Sequence, residues 1–122
     1  MAEDMNTKLA PYGIDYLDAM DRMDNDGDLY KMLALKYLDN SKYTDLVAAL
    51  EVEDFDEAYK AAHSLKGVAG NLSFSKLFDV AASMSEALFQ GEYQAAEKML
   101  PDLSDANDKV IEGLNAWKDG SL

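Results

Sequence analysis

The stretch that decides the fold is FDEAYKAAHSLKGVAGNL, residues 55–72. Its apolar residues recur at intervals of three and four, which lines them up along one side of an α-helix. They are Phe55, Ala58, Tyr59, Ala62, Leu65, Ala69 and Leu72. Asp54 stands just before the first of them and Glu57 follows three residues later, a pair that is typical of a capped helix start. The spacing therefore predicts an amphipathic helix from Phe55 to about Leu72.

The sequence on both sides of this stretch is also helical in character. No proline occurs between Ile14 and Leu100, and Ala, Leu, Met, Lys, Asp and Glu dominate, a composition that favours helix over strand. Turn-forming clusters separate further helices, which we expect at about 14–23, 28–50, 76–90 and 92–117, with a kink at Pro101. These segments predict an all-α protein, an antiparallel up-down-up-down four-helix bundle with a short extra N-terminal helix. We expect residues 1–12 to be an N-terminal tail and residues 13–118 to be the bundle domain.

The segment 28–50 differs from the other predicted helices because its apolar residues surround the helix almost completely. They are Leu29, Tyr30, Met32, Leu33, Leu35, Tyr37 and Leu38. The bundle core covers one side of such a helix, so the short first helix or another protein must cover the rest.

Composition narrows the classes of partner. The 122 residues include 24 acidic and 11 basic side chains, which gives a formal net charge of −13 and a pI near 4.2. Such a charge repels nucleic acid and anionic membranes, so we expect neither as a partner. The absence of cysteine removes disulfides and cysteine-ligated metals. Because nothing marks an oxidising compartment, we expect a cytoplasmic protein. No run approaches the roughly 18 apolar residues of a membrane span.

The single histidine, His63, lies on one flank of the predicted helix 55–72. Residues in a helix step by about 100°, so His63, Lys66, Gly67 and Gly70 share a flank roughly 110° from the centre of the apolar stripe. This position predicts an imidazole at the solvent edge. An exposed imidazole is a nucleophile near neutral pH, and a lysine one turn further on can neutralise a phosphoryl group carried on the ring.

The two glycines on this flank need a reason, because each costs about 1 kcal/mol relative to alanine inside a helix. One interpretation is close helix–helix packing, and the other is that Gly67 and Gly70 clear space beside His63 for another protein. Their angular position favours the second interpretation. Lys66, taken alone, is also compatible with an ordinary surface lysine.

The segment Asp24-Asn25-Asp26-Gly27-Asp28 resembles half of a calcium-binding loop. Aligning Gly27 with the sixth loop position puts Arg22 and Leu33 at the first and twelfth positions, where carboxylate ligands are required. We therefore expect a helix-capping turn here and no metal. No glycine-rich nucleotide-binding motif is present, so no ATP site is expected.

The pattern His63-x-Leu65-Lys66-Gly67-x-Ala69-Gly70-Asn71-Leu72 resembles the signature of histidine-containing phosphotransfer (HPt) domains. The similarity extends from about Gly13 to Trp117. It implies that His63 is the phosphoacceptor, that Lys66 neutralises the phosphate and that Gly67 is the small residue that admits the partner. Asn71 would be structural. Ser73 departs from the glycine that the family often has after Asn-Leu, and we expect it to cap the next helix.

The resemblance also implies partners and a role. The protein would be a phosphocarrier and not an enzyme with its own ATP site. It would accept a phosphoryl group from an aspartate of one receiver domain and donate it to an aspartate of another. Partners would be response-regulator receiver domains, a hybrid sensor histidine kinase, or both. It would be a monomer without a cofactor, and any magnesium ion would belong to the receiver. The alternative is a non-phosphorylated helical adaptor module that uses its apolar surface to bind a partner protein.

Overall fold

The computed structural model describes residues 2–122, which are helical almost throughout and contain no β-strand. The α-helices of this part of the chain are α1 (Ala2–Leu9), α2 (Tyr16–Arg22), α3 (Gly27–Leu35), α4 (Lys42–Glu51), α5 (Phe55–Asn71), α6 (Ser75–Phe89), α7 (Tyr93–Lys98) and α8 (Leu100–Asp119). Two 3₁₀ segments, Ala10–Tyr12 and Lys36–Asp39, connect α1 to α2 and α3 to α4. The predicted all-α class is confirmed.

Helix α5 lies between α4 and α6 and makes its most extensive contacts with these two neighbours. Short connections at 52–54 and 72–74 join the three helices, so consecutive helices run antiparallel, and α8 packs back onto α6. The largest fully buried side chains come from both ends of the chain and from the middle: Leu9, Ile14, Tyr30, Leu46, Leu65, Phe74, Leu77, Met84, Leu103, Val110 and Leu114. One continuous core thus holds the bundle together, as the sequence predicts.

Helix α5 begins and ends close to where the sequence predicts. The side chain of Asp54 accepts a hydrogen bond from the backbone N–H of Glu57, at 3.2 Å, which satisfies one of the free donors of the first turn. Ala58, Ala62, Leu65 and Ala69 are fully buried on the predicted stripe. Because this stripe packs into the core between α4 and α6, the side of α5 that faces solvent has a defined place on the surface of the bundle.

The predicted helix 28–50 is interrupted. Regular α-helix stops at Leu35, and Asn40 adopts an extended conformation before α4 begins at Lys42. The side-chain oxygen of Asn40 accepts the backbone N–H of Lys42 at 2.8 Å, and such local bonds compete with helix formation. Tyr30 and Tyr37 are buried, whereas Leu29 and Met32 remain 39% and 51% exposed. Part of the predicted second apolar face is therefore uncovered within residues 2–122.

The predicted helix 92–117 is divided at Met99 into α7 and α8. Pro101 lies in the first turn of α8, where its missing N–H removes no helical hydrogen bond. The interruption expected at this proline thus takes the form of a new helix start.

The N-terminal segment differs from the predicted tail. Helix α1 buries Leu9 completely, and the ring of Tyr12 packs against Gly113 of α8. Residues 2–12 therefore pack onto the bundle. The sequence reasoning missed this helix because an eight-residue segment is too short to show a clear apolar stripe. None of the helices in residues 2–122 has the length and apolarity needed to cross a bilayer.

Candidate functional site

His63 lies in the middle of α5, and its side chain is exposed to solvent. The preceding residue, Ala62, is fully buried in the core, as is Leu65. The helix therefore presents one face to the bundle and carries the imidazole on the flank that the sequence predicts. A ring nitrogen on a solvent-facing flank is accessible to a reacting group on another molecule.

Lys66 follows His63 by one helical turn and is half-buried. Residues three apart on a helix are surface neighbours, with about 5–6 Å between their Cβ atoms. Three ion pairs form among residues 2–122, namely Arg22–Asp18, Lys60–Glu57 and Lys109–Asp105, and none of them involves Lys66. The ammonium group of Lys66 is therefore not neutralised by a carboxylate and is available to an anion near His63.

Gly67 follows His63 by four residues and is exposed. A Cβ atom added at this position would meet nothing within 4 Å. The packing of this molecule therefore gives no reason for a glycine here, although glycine weakens the helix by about 1 kcal/mol relative to alanine.

Gly70 lies on the same flank but has a different environment. A Cβ atom added there would come within 3.1 Å and 3.2 Å of two ring carbons of Phe78 in α6. Close packing against α6 therefore explains the glycine at position 70. Its angular position on the helix had instead favoured space for another protein. The open part of the flank is limited to His63, Lys66 and Gly67.

An aromatic neighbour of His63 was not recognised from the sequence as part of the site. Tyr59, one turn before the histidine, places its ring centroid 5.9 Å from that of the imidazole, and the ring centroid of Phe89 of α6 lies 5.8 Å from that of Tyr59. The spacing of four residues between Tyr59 and His63 was the signal that could have revealed this contact. It was masked because Tyr59 also fits the apolar stripe of α5.

Ser73 does not cap the next helix, contrary to the prediction. The N-cap residue of α6 is Phe74, and no side chain caps it. The backbone of Ser73 has a φ of +59°, which turns its buried hydroxyl towards α2, where it donates a hydrogen bond to Asp18 at 2.7 Å. This bond, together with the neighbouring Arg22, lowers the pKa of the Asp18 carboxyl below its usual value.

Two further bonds hold the turn between α5 and α6. The carbonyl of Ser73 accepts the backbone N–H of Asp15, and the hydroxyl of the fully buried Tyr30 donates to the carbonyl of Leu72. Burial raises the pKa of the Tyr30 hydroxyl, so the group stays protonated and remains a donor. Asn71, expected to be structural, is exposed at the end of α5. The turn after the site is therefore closed by internal contacts.

Residues 24–26 of the acidic segment form a turn, as the sequence predicts, while Gly27 and Asp28 begin α3. Asp24 and Asn25 have φ values of 50° and 62°, and the side chain of Asp26 caps α3 by accepting the N–H of Leu29 at 3.0 Å. No group of three or more His, Cys, Asp or Glu side chains within residues 2–122 has an arrangement that could hold a metal ion.

Comparison with known proteins gives one match. The family model described as Hpt domain matches residues 41–117, which run from the start of α4 into the last turns of α8 and include His63, Lys66 and Gly67. No curated protein and no solved structure matches the chain significantly.

Proposed function

The chain belongs to the Hpt domain family, whose members are phosphocarrier modules of two-component signalling without a kinase activity of their own, and on this premise we propose that it is a phosphorelay intermediate with His63 as phosphoacceptor. It accepts a phosphoryl group from an aspartate of one receiver domain and donates it to an aspartate of another. The observation that carries this proposal is the exposed imidazole beside an unpaired lysine and a glycine that no internal contact requires.

The transfer step uses the free electron pair of one ring nitrogen of His63. This nitrogen attacks the phosphorus of an aspartyl phosphate, the new N–P bond forms, and the P–O bond to the aspartate breaks. The aspartate leaves as a carboxylate, while the other ring nitrogen of His63 keeps its proton. The reverse reaction returns the phosphoryl group to an aspartate of the next receiver domain.

Lys66 has a definite electrostatic task in this reaction. A phosphoryl group adds up to about two negative charges to a protein whose formal net charge is already −13. The ammonium group of Lys66 compensates part of this charge next to the imidazole. Because its side chain is half-buried, water screens the interaction less than at a fully exposed site.

Gly67 leaves room for the receiver domain. The reacting atoms must approach within a few ångströms, so the loops around the receiver's aspartate have to close over α5 next to His63. A side chain at position 67 would point into this space, since nothing in the molecule itself occupies it.

Apolar surface near the site supports receiver binding. A groove of about 320 Å³ between α3 and the C-terminal half of α5 is lined by apolar residues that include Leu33, Val68 and Leu72. Leu29, one turn before Leu33 on α3, remains exposed. Apolar contacts of this kind supply affinity where the negative charge of both proteins does not.

The partners follow from this role. They are response-regulator receiver domains, a hybrid sensor histidine kinase, or both, and any magnesium ion that the transfer requires lies in the receiver's acidic pocket. The protein acts as a cytoplasmic monomer, and neither nucleic acid nor membrane is a partner.

The test is incubation with a receiver domain that has been phosphorylated by acetyl phosphate. The expected result is loss of phosphate from the receiver and its appearance on this protein, and no transfer to the His63→Gln variant. Binding of the receiver without any transfer to the wild-type protein would instead support the adaptor module and contradict the phosphorelay role.

A further inference from the structure

The imidazole of His63 has an aromatic neighbour in its own helix. The ring of Tyr59 lies 5.9 Å from the imidazole, centroid to centroid, and the two planes are tilted by 30°. Side chains on a helix lean towards its N-terminus, so the imidazole leans over the preceding turn, where Tyr59 lies. We propose that Tyr59 is a positioning residue that holds His63 in one rotamer for phosphoryl transfer, a role that rests on the proposed function.

Tyr59 is itself held in place by α6. Phe89 lies 5.8 Å from its ring, although the Phe89 side chain is 67% exposed. Phe55 and Tyr93 stack beside them, 4.0 Å apart and nearly parallel at 5°. The four aromatic residues line one cleft between α5, the end of α6 and the start of α7. Tyr59 thus contacts Phe89 inside an aromatic cleft, and this contact favours the orientation in which its ring meets the imidazole.

A fixed aromatic surface limits the conformations of His63. An exposed histidine in a helix otherwise exchanges between two χ1 rotamers, because the third clashes with the preceding turn. The observed rotamer has the contact with Tyr59, and we expect the other to lose it. Aromatic contacts of this kind change an equilibrium by about 2- to 13-fold.

Ordering of the imidazole affects the reaction because the ring nitrogen must point at the phosphorus of the incoming aspartyl phosphate. When the ring is already aligned, the encounter with the receiver domain does not have to select the reactive rotamer. The contact joins the aromatic ring of Tyr59 to the imidazole. Phenylalanine should therefore replace tyrosine here, whereas leucine should not.

The experiment compares Tyr59→Leu and Tyr59→Phe with the wild-type protein. At saturating concentrations of a phosphorylated receiver domain, Tyr59→Leu should transfer more slowly, by no more than the factor of about 2 to 13 by which the contact shifts the rotamer equilibrium, with an unchanged Kd for the receiver. In the NMR spectrum of the free protein, the carbon-bound imidazole protons of His63 should lose the shift that the Tyr59 ring causes. Tyr59→Phe should restore both the rate and the shift.

Two more variants separate positioning from general packing. Phe89→Ala removes the support of Tyr59 without touching the imidazole, and it should slow transfer in the same direction but less. Val52→Ala is the matched control, because Val52 is also apolar and 75% exposed but lies in the turn before α5. It should change neither the rate nor the imidazole spectrum.

The outcomes distinguish this inference from the proposed function. No transfer to the wild-type protein would overturn the phosphorelay role itself. Normal transfer to the wild-type protein with an equally fast Tyr59→Leu variant, or an unchanged imidazole spectrum in that variant, would overturn only the positioning role. A weakened receiver Kd in Tyr59→Leu at an unchanged transfer rate would also overturn it, because Tyr59 would then be a binding contact.

Discussion

Gly67 in α5 and Gly113 in α8 both lie inside long helices, but they face opposite surroundings. A Cβ atom at Gly113 would come within 2.6–2.9 Å of three atoms of Tyr12, whereas a Cβ atom at Gly67 would meet nothing within 4 Å. Each glycine weakens its helix by about 1 kcal/mol relative to alanine. At Gly113 the packing of the N-terminal segment offsets this cost, and at Gly67 nothing in the molecule does. Glycine therefore has a reason inside the molecule at position 113 and requires one outside it at position 67.

The largest effect is expected when the open position is filled. Gly67→Leu should leave the melting temperature equal or higher, because leucine is the better helix former, while receiver binding and phosphoryl transfer are lost. Calorimetric titration with a receiver domain, next to a melting curve, measures both properties. Gly67→Ala is the graded control and should impair binding less. Normal binding and transfer in the leucine variant would show that no partner approaches this flank.

Removal of the neighbouring charge should have the next largest effect. Lys66→Ala is expected to slow transfer or shorten the lifetime of the phosphohistidine by roughly 5- to 150-fold, because charge-assisted hydrogen bonds contribute about 1–3 kcal/mol. Lys109→Ala is the matched control, since Lys109 is paired with Asp105 on the surface of α8 and lies away from His63. Equal kinetics in the two variants would reduce Lys66 to an ordinary surface lysine.

Filling the closed position should change stability and leave transfer intact. Gly113→Ala forces an added carbon against Tyr12, which should cost up to about 2 kcal/mol of unfolding free energy after the gain in helix propensity is included. Gly67→Ala should instead raise the unfolding free energy by up to about 1 kcal/mol. Thermal melts of the two variants therefore should shift in opposite directions. Shifts of the same sign would remove the contrast between the two regions.

Sequence reasoning predicted the parts of this contrast that depend on local spacing. The Asp54 cap, the buried stripe of α5 and the solvent-facing flank with His63 all follow from residues within one helix. The break at Asn40 was missed because its side chain bonds to the backbone two residues away in place of continuing the helix.

The sequence did not predict that Gly67 and Gly70 have different surroundings. Both residues lie on one flank of α5, and only the arrival of Phe78 from α6 separates them. The same holds for Gly113, whose neighbour Tyr12 is far away in the sequence. Contacts between helices decide these cases, and the spacing of residues within one helix does not contain that information.

The smallest effect is expected at the turn that closes the region after the site. The pKa of Asp18 is lowered mainly by the hydroxyl of Ser73 and further by Arg22, so this carboxylate stabilises the fold above its unfolded pKa of about 3.9. The contribution is lost as the pH falls through the lower pKa of the folded state. Because Asp18 is partly exposed, Ser73→Ala should cost only about 0.5–1 kcal/mol at pH 7.

Thermal melts of wild-type protein and Ser73→Ala between pH 2 and pH 7 measure this contribution. The difference between the two proteins should be constant above about pH 5 and shrink at lower pH. Phosphoryl transfer at pH 7 should be unchanged, because the turn belongs to the internally closed region. A stability difference that does not depend on pH would show that Asp18 is not the partner that matters.

If the open flank of α5 carries the phosphoryl group, the phosphate must lie on His63. After reaction with a phosphorylated receiver domain, the protein is digested at alkaline pH and the phosphate is mapped by mass spectrometry. We expect one phosphate on His63, stable to base and lost in acid, because phosphate bound through an N–P bond behaves in this way. An acid-stable phosphate on a serine, threonine or tyrosine, or a base-labile one on an aspartate, would contradict it.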